Sequence, residues 1–236
     1  MIGTYDDIAT EYYDAERHPT CANFREASKI IIKKWIRQLG AGTGTILEVG
    51  AGKSVVAELV TEDNMPLHSL MLLDSSSRML EYSKAFIECG ARRIITSADD
   101  MHILPNGATT IVSSLGDAYN TEGFWAQVEK VLVPNGTVIF TTPSYDWAAS
   151  FRDLTKPDSM TSAEFELTDG RHISIPSYVF LPEVQIALMR TFGLHVEEME
   201  NIPLSALGDA KISSKLSVLQ RHDGTIVAGY LAHKRI

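Results

Sequence analysis

The sequence predicts an α/β protein: a seven-stranded, mostly parallel, doubly wound sheet with helices on both faces. Two observations predict it. Short apolar runs of strand character alternate with segments of helical periodicity from residue 45 to residue 142. The first run ends in an acid and two glycines, Glu48-Val49-Gly50-Ala51-Gly52, directly before a helical pattern. Such a rhythm requires parallel strands joined by helical crossovers, which cover both faces of a sheet.

Composition narrows the function. The 236 residues are 44% apolar and 22% charged, ordinary for a globular chain able to bury one substantial core. We expect a single domain over residues 1–236, with residues 1–40 as a helical cap and 143–181 as an insertion or lid after the fifth strand. A formal net charge of −9 argues against a domain whose main task is gripping nucleic acid. The two cysteines, Cys21 and Cys89, are far apart and outside any CxxC spacing, which excludes a disulfide framework and a multi-cysteine zinc site. No other side chains show metal-ligand spacing, so no metal is expected. The N-terminus lacks a basic segment followed by an apolar core, and no window approaches ~18 consecutive apolar residues. No membrane association is expected, and a cytoplasmic location is. The oligomeric state is left open.

Taken in order, Tyr5, Ile8 and Tyr12 are spaced for one face of a short docking helix, and tyrosines there can cap a ligand at a cleft mouth. Over residues 21–39, Phe24, Ala27, Ile31, Trp35 and Leu39 form an apolar stripe, with Lys29, Lys33, Lys34 and Arg37 on a solvated face. Glycines at 40–44 end that helix. The first strand leads into a helix over 54–62, and a second apolar run, 67–74, ends in Asp74. Ser75-Ser76-Ser77 offers capping hydroxyls to a helix carrying Met79, Leu80, Tyr82, Ala85 and Phe86 towards Gly90. Residues 93–96 read as the third strand, followed by Ala98-Asp99-Asp100-Met101 and a loop closed by Pro105-Asn106-Gly107.

The fourth strand is 108–114. A helix from Thr121 buries Phe124, Trp125, Val128, Val131 and Leu132, Pro134-Asn135-Gly136 reads as a turn, and 137–142 is the fifth strand. The rhythm then breaks. Asp169-Gly170 before residues 171–175 suggests an inserted hairpin, and a connection this long commonly serves as a substrate lid. A helix over 182–192, a stop at Gly193, a sixth strand at 194–199, a turn at His222-Asp223-Gly224 and a last strand at 225–231 complete the chain. The piece at 216–219 reads equally as strand or helix end. His68, His102 and His195 lie beside apolar runs and read as structural.

Which ligand would the glycine loop hold? Gly52-Lys53-Ser54 spells the end of a phosphate-binding P-loop, but the glycine required five positions earlier is Leu47. A dinucleotide fingerprint fits Gly50 and Gly52, yet its third glycine falls at Val55, and Glu48 would lie beside a pyrophosphate. NAD is therefore the weaker reading. An adenosine without phosphates suits the loop better. An acid before the glycines can help hold a cationic or amino group. Asp74 follows Gly52 at about the 20-residue spacing at which an acid meets ribose hydroxyls. Asp99 or Asp100 could accept from an exocyclic amine, with Met101 packed on the ring.

With these residues in place, the sequence resembles the Rossmann-like class I S-adenosylmethionine-dependent methyltransferases. Glu48-Val49-Gly50-Ala51-Gly52 resembles that family's first motif, although Lys53 and Ser54 stand where a small residue is usual. Leu72-Leu73-Asp74-Ser75-Ser76 resembles the second, Ala98-Asp99-Asp100-Met101 the adenine segment, and Val112-Ser113-Ser114-Leu115-Gly116-Asp117 the stretch lining the donor site. Val131-Leu132-Val133-Pro134-Asn135-Gly136-Thr137-Val138-Ile139 is similar to its helix-end, turn and fifth-strand signature. Tyr5-Asp6-Asp7-Ile8-Ala9 with Tyr12-Tyr13-Asp14 is similar to the lead-in of small-molecule members.

The resemblance implies an antiparallel last strand and S-adenosyl-L-methionine as cofactor. It implies cofactor contacts from Tyr5, Tyr13, Glu48, Gly50, Ala51, Gly52, Asp74, Ser75, Met79, Asp99, Asp100, Met101, Ser114 and Leu115. Transfer from an activated sulfonium relies on proximity and orientation, with a base only where the nucleophile needs one. The catalytic candidates are Asp117 and Tyr119 after the fourth strand, with Asn120 beside them, and His172 from the insertion. His18 and His172 each read individually as surface histidines. Gly116-Asp117-Ala118-Tyr119 lacks the paired prolines of base-methylating members. The expected activity is methyl transfer to O or N of a small-molecule acceptor; the alternatives are a tRNA or protein methyltransferase, or a non-catalytic S-adenosylmethionine-binding module.

Overall fold

The computed structural model describes residues 3–40, 44–101, 107–152, 161–222 and 224–235. In chain order its elements are α1 (Tyr5–Ile8), α2 (Pro19–Leu39), β1 (Ile46–Val49), α3 (Val55–Glu62), β2 (Leu70–Asp74), α4 (Ser77–Leu80), α5 (Lys84–Glu88), β3 (Arg92–Ile95) and β4 (Ala108–Ser113). Then follow α6 (Glu122–Val131), β5 (Leu132–Pro143), α7 (Tyr145–Phe151), β6 (Ser162–Glu166), β7 (His172–Pro176), α8 (Pro182–Thr191), β8 (Leu194–Pro203) and β9 (Thr225–Lys234). The loop at 41–43, the Pro105-Asn106 part of its predicted loop together with His102, Asp223 of the predicted last turn, and the 153–160 part of the insertion lie outside the described residues.

Among the described residues the main sheet has seven strands, ordered β3-β2-β1-β4-β5-β9-β8. β1 pairs in parallel with both β2 and β4, while β9 runs antiparallel between β5 and β8. The expected doubly wound sheet with one antiparallel strand is what forms. From β1 the chain builds outward through β2 and β3, then returns to lay β4 on the other side of β1. That reversal opens a crevice beyond the carboxyl ends of β1 and β4, where ligands bind in sheets of this kind.

Each face of the sheet carries an apolar layer. On one, Ile31, Ile32 and Trp35 of α2 meet Val56 and Leu59 of α3; on the other, Phe124 and Trp125 of α6 meet Phe140 and Tyr230. Leu39, expected to complete the α2 stripe, is exposed at the helix end. The basic face of α2 is neutralised by acids: Lys29 and Lys33 reach Glu62, Lys34 reaches Glu198 and Glu200, and Arg37 reaches Asp63. A third cluster, Ile8 with Leu167, Ile173 and Ile175, joins α1 to the inserted hairpin β6–β7.

Three local expectations change and one open point is settled. Pro134-Asn135-Gly136 is a bulge inside β5, not a turn before it: Leu132 pairs with Ala108, the register shifts, and Asn135 takes a φ of 60°. The helix expected from Met79 to Gly90 breaks into α4 and α5 at a 3-10 turn, Glu81–Ser83. There Ser83 turns its hydroxyl to the glycine loop, donating to the Gly52 carbonyl and accepting from the Ser54 amide. Residues 217–222 form a 3-10 turn, which settles the ambiguous piece before the last strand. His68 and His195 are exposed, not packed into structure. No described helix is long and apolar enough to cross a membrane.

α2 lies so close to β9 that a Cβ at Gly229 would stand 2.8 Å from Ile31 and 3.1 Å from Trp35. Overpacking of this kind costs about 1–3 kcal/mol. Gly229→Ala should therefore lower unfolding stability by that amount in urea titrations, with an unchanged slope.

Candidate functional site

β1 delivers the chain into the crevice as a loop that only glycine can form. Gly50 and Gly52 have φ values of 65° and 42°, in the left-handed region. A Cβ at Gly50 would stand 2.4 Å from the Tyr119 hydroxyl, and one at Gly52 would stand 2.2 Å from that of Tyr13. Tyr119 donates to the Val49 carbonyl at 2.6 Å, and Tyr13 accepts from the Lys53 amide at 2.7 Å. Arg25 of α2 holds the Lys53 carbonyl at 3.2 Å.

Glu48 is 1% exposed and turns towards the start of α3. Its carboxylate accepts from the Val55 and Val56 amides at 3.0 and 3.3 Å and from the Ser54 hydroxyl. It satisfies amides that a helix start leaves without intrahelical partners. Asp74, at the end of β2, accepts from the Gly52 amide at 3.0 Å and the Ser76 amide at 2.8 Å. Burial pushes the carboxyl of Glu48 up to about 7 and that of Asp74 up to about 6.

Above the loop lies a cavity of about 240 Å³. Its wall includes Tyr5, Tyr13, Glu48, Gly50, Ala51, Asp74, Ser75, Met79, Ser114, Leu115 and Tyr119, all singled out from the sequence. Other predicted residues stand elsewhere. Gly52 gives its amide to Asp74 and is not on the wall. Asp99 and Asp100 are exposed and off the wall, Asp99 accepting from the Thr121 hydroxyl at the start of α6, while Met101 is fully buried in the core. Of that segment only Ala98 lines the cavity. Tyr12, Leu73 and Ala118 also line it; they stand within stretches quoted from the sequence without being named as site residues, whereas Cys21 and Arg25 were missed, because nothing local marks α2 as a wall.

A second cavity of about 1030 Å³ adjoins the first, and Tyr5, Tyr12, Cys21 and Leu115 border both. Asp117 belongs to this second cavity. Its carboxylate accepts from the Ser177 hydroxyl at 2.5 Å, and Arg152 donates to the Ser177 hydroxyl at 2.7 Å and carbonyl at 3.1 Å. Burial raises the Asp117 carboxyl to about 6, with Ser177 and Arg152 opposing. Tyr119 has its hydroxyl committed to Val49 and Ser113, and burial raises it far above the ordinary phenol range. It braces the glycine loop and has no role as a base. His172 is a correction: it is exposed on β7 and lines neither cavity. Strand alternation turns Ile173 and Ile175 inward, which carries His172 out. Among the described residues no group of three or more His, Cys, Asp or Glu could hold a metal.

Leu115, at the junction of the cavities, has φ 55° and ψ 53°. A non-glycine residue in that region costs about 1–2 kcal/mol. A buried hydroxyl network holds it there: Thr141 accepts from the Leu115 amide at 2.9 Å, and Ser28 of α2 joins Thr141 and Ser114 at 2.7 and 2.8 Å.

The raised carboxyls tie stability to pH. A carboxyl raised by folding contributes stability that is complete below its unfolded value, 4.5 for Glu48, and is lost as pH rises through about 7. Asp74 and Asp117 act in the same direction up to about 6. The thermal midpoint should fall as pH rises across this window, and fall less steeply in Glu48→Gln.

No family model matches this chain, and no curated protein matches it. Solved structures do. An S-adenosylmethionine-dependent methyltransferase from Mesorhizobium loti aligns with a TM-score of 0.62 at 17% identity, covering 85% of this chain and 96% of that one. One from Clostridium acetobutylicum gives 0.61 at 10% identity, over 90% and 92%. The Burkholderia thailandensis 1,6-didemethyltoxoflavin-N1-methyltransferase, with bound 1,6-didemethyltoxoflavin and S-adenosylhomocysteine, gives 0.55 at 15% identity, over 98% and 86%. The chain has the Rossmann-like α/β fold seen in S-adenosylmethionine-dependent methyltransferases.

Proposed function

We propose that this protein is an S-adenosylmethionine-dependent methyltransferase acting at O or N of a small-molecule acceptor. The observation that carries the reading is the pair of joined cavities at the topological switch point, the smaller one bounded by the glycine loop and Asp74.

The residues present fit that cofactor better than a phosphate-bearing one. The Gly52 and Lys53 amides, which would cradle a pyrophosphate, are already bound by Asp74 and Tyr13. Each Asp74 carboxylate oxygen accepts one backbone amide and keeps a lone pair for a ribose hydroxyl, and Leu73, Met79 and Ala98 offer an apolar seat for adenine. When bound, the cofactor supplies a methyl group on a positively charged sulfur. The chain's own contribution is placement: Leu115 fixes the junction, and Tyr5 and Tyr12 screen it from water. Asp117, backed by Ser177 and Arg152, offers the acceptor a hydrogen-bonding carboxylate. The N-terminal arm and the hairpin serve as the lid, because Tyr12 and Phe165 meet over the larger cavity at 6.1 Å. The pairing of α2's basic residues with acids favours a small acceptor over RNA.

Calorimetry with S-adenosylhomocysteine tests the reading. Wild-type protein should bind it, and Asp74→Asn should weaken binding by about tenfold to a hundredfold, the loss of charge-assisted hydrogen bonds. Lys53→Ala should change affinity less than about threefold, since an exposed charge facing no phosphate contributes little. Absence of binding to wild type would end the proposal.

A further inference from the structure

Arg152 lines the second cavity as a partly buried guanidinium that makes no ion pair with any carboxylate among the described residues. Two of its N–H groups go to Ser177, one to the hydroxyl at 2.7 Å and one to the carbonyl at 3.1 Å. The rest of the fork has no partner among the described residues. Its Nε makes no hydrogen bond and is not among the buried polar atoms left without a partner, so solvent reaches it.

The charge of this group is not answered by the protein. Burial works against the guanidinium, with Asp117 opposing. Yet the Ser177 hydroxyl stands between the two, accepting from Arg152 and donating to Asp117. Glu164 and Glu166, also on the cavity wall, are exposed and make no ion pair with it. A charge drawn partly out of water is normally paired, and an open guanidinium fork on a cavity wall points to an anion that arrives with a ligand. The planar fork matches a carboxylate with two parallel hydrogen bonds. One guanidinium with an acid across Ser177 suits a single negative charge and not the double charge of a phosphate monoester.

The walls define the rest of the ligand. The Trp147 ring centroid lies 5.8 Å from the guanidinium carbon, Phe24 stands edge-on to Trp147 at 4.7 Å, and both rings line the cavity with Phe165. Such walls favour a flat ring. Leu115, two residues before Asp117, borders both cavities, so the chain leads from this anion seat to the donor junction.

We propose that the methyl acceptor is a small aromatic carboxylate and that Arg152 selects it by taking that carboxylate in its guanidinium fork. This rests on the methyltransferase reading above. The acceptor is anchored by its carboxylate at Arg152, its ring lies against the aromatic wall, and its O–H or N–H end extends past Asp117 to Leu115.

The probes are benzoate and benzamide, which share a shape and differ in charge. Calorimetry uses full-length protein saturated with S-adenosylhomocysteine at neutral pH. Wild type should bind benzoate about tenfold tighter than benzamide, the scale of a charge-assisted hydrogen bond. Arg152→Gln should bind the two equally, with S-adenosylhomocysteine affinity as in wild type. Asp117→Asn, which removes the opposing charge, should tighten benzoate and leave benzamide unchanged, and it decides the matter alone if Arg152→Gln does not fold. Wild type binding benzoate no tighter than benzamide, or binding neither, would overturn the acceptor class. A benzoate preference kept in Arg152→Gln, or benzoate not tightened by Asp117→Asn, would overturn the assignment of Arg152. Failure of wild type to bind S-adenosylhomocysteine would instead remove the methyltransferase reading, and this proposal with it.

Discussion

The structure depends on a loop threaded between two tyrosine hydroxyls. Tyr119 closes on Gly50 and Tyr13 on Gly52, each so near that no side chain fits at either position. The two tyrosines come from opposite directions. Tyr119 reaches across from the 3-10 turn after β4, and Tyr13 from the N-terminal arm. The loop therefore registers the sheet against the arm. Glu48 fixes its far side by holding the first amides of α3, and Asp74 fixes its near side through the Gly52 amide. A loop restrained on every side is preorganised, so binding need not order it.

The same logic extends to the junction of the cavities. Leu115 is strained, and a buried network of hydroxyls from α2, β4 and β5 holds the strain. Ser28 is fully buried on the packed face of α2, where a hydroxyl contributes nothing to packing that alanine would not. Its value lies in geometry, because it ties the helix that walls both cavities to the strand ends that floor them. Strain kept by an over-determined network is characteristic of sites where placement matters.

Much of this was legible in the sequence where the signal is local. An apolar run ending in an acid, twice over, placed Glu48 and Asp74 at strand ends, and the alternation of strands and helices placed those ends side by side. The chemistry of Glu48 was not legible, because an acid before glycines looks the same whether it faces a ligand or caps the next helix. His172 was misplaced for a related reason: the face a hairpin residue takes depends on what the hairpin packs against, here Ile8 of the arm. The second cavity draws on residues near 18–24, 143–152, 162–166 and 213–215, which no spacing rule connects.

The central claim is that the loop holds an adenosine without phosphates. It is tested most directly by thermal unfolding in the presence of S-adenosylhomocysteine or NAD, each at the same saturating concentration. A ligand that binds only the folded state raises the midpoint, by an amount that grows with the logarithm of its concentration over its Kd. The account predicts a clear rise with S-adenosylhomocysteine and none with NAD; a rise with NAD alone would contradict it.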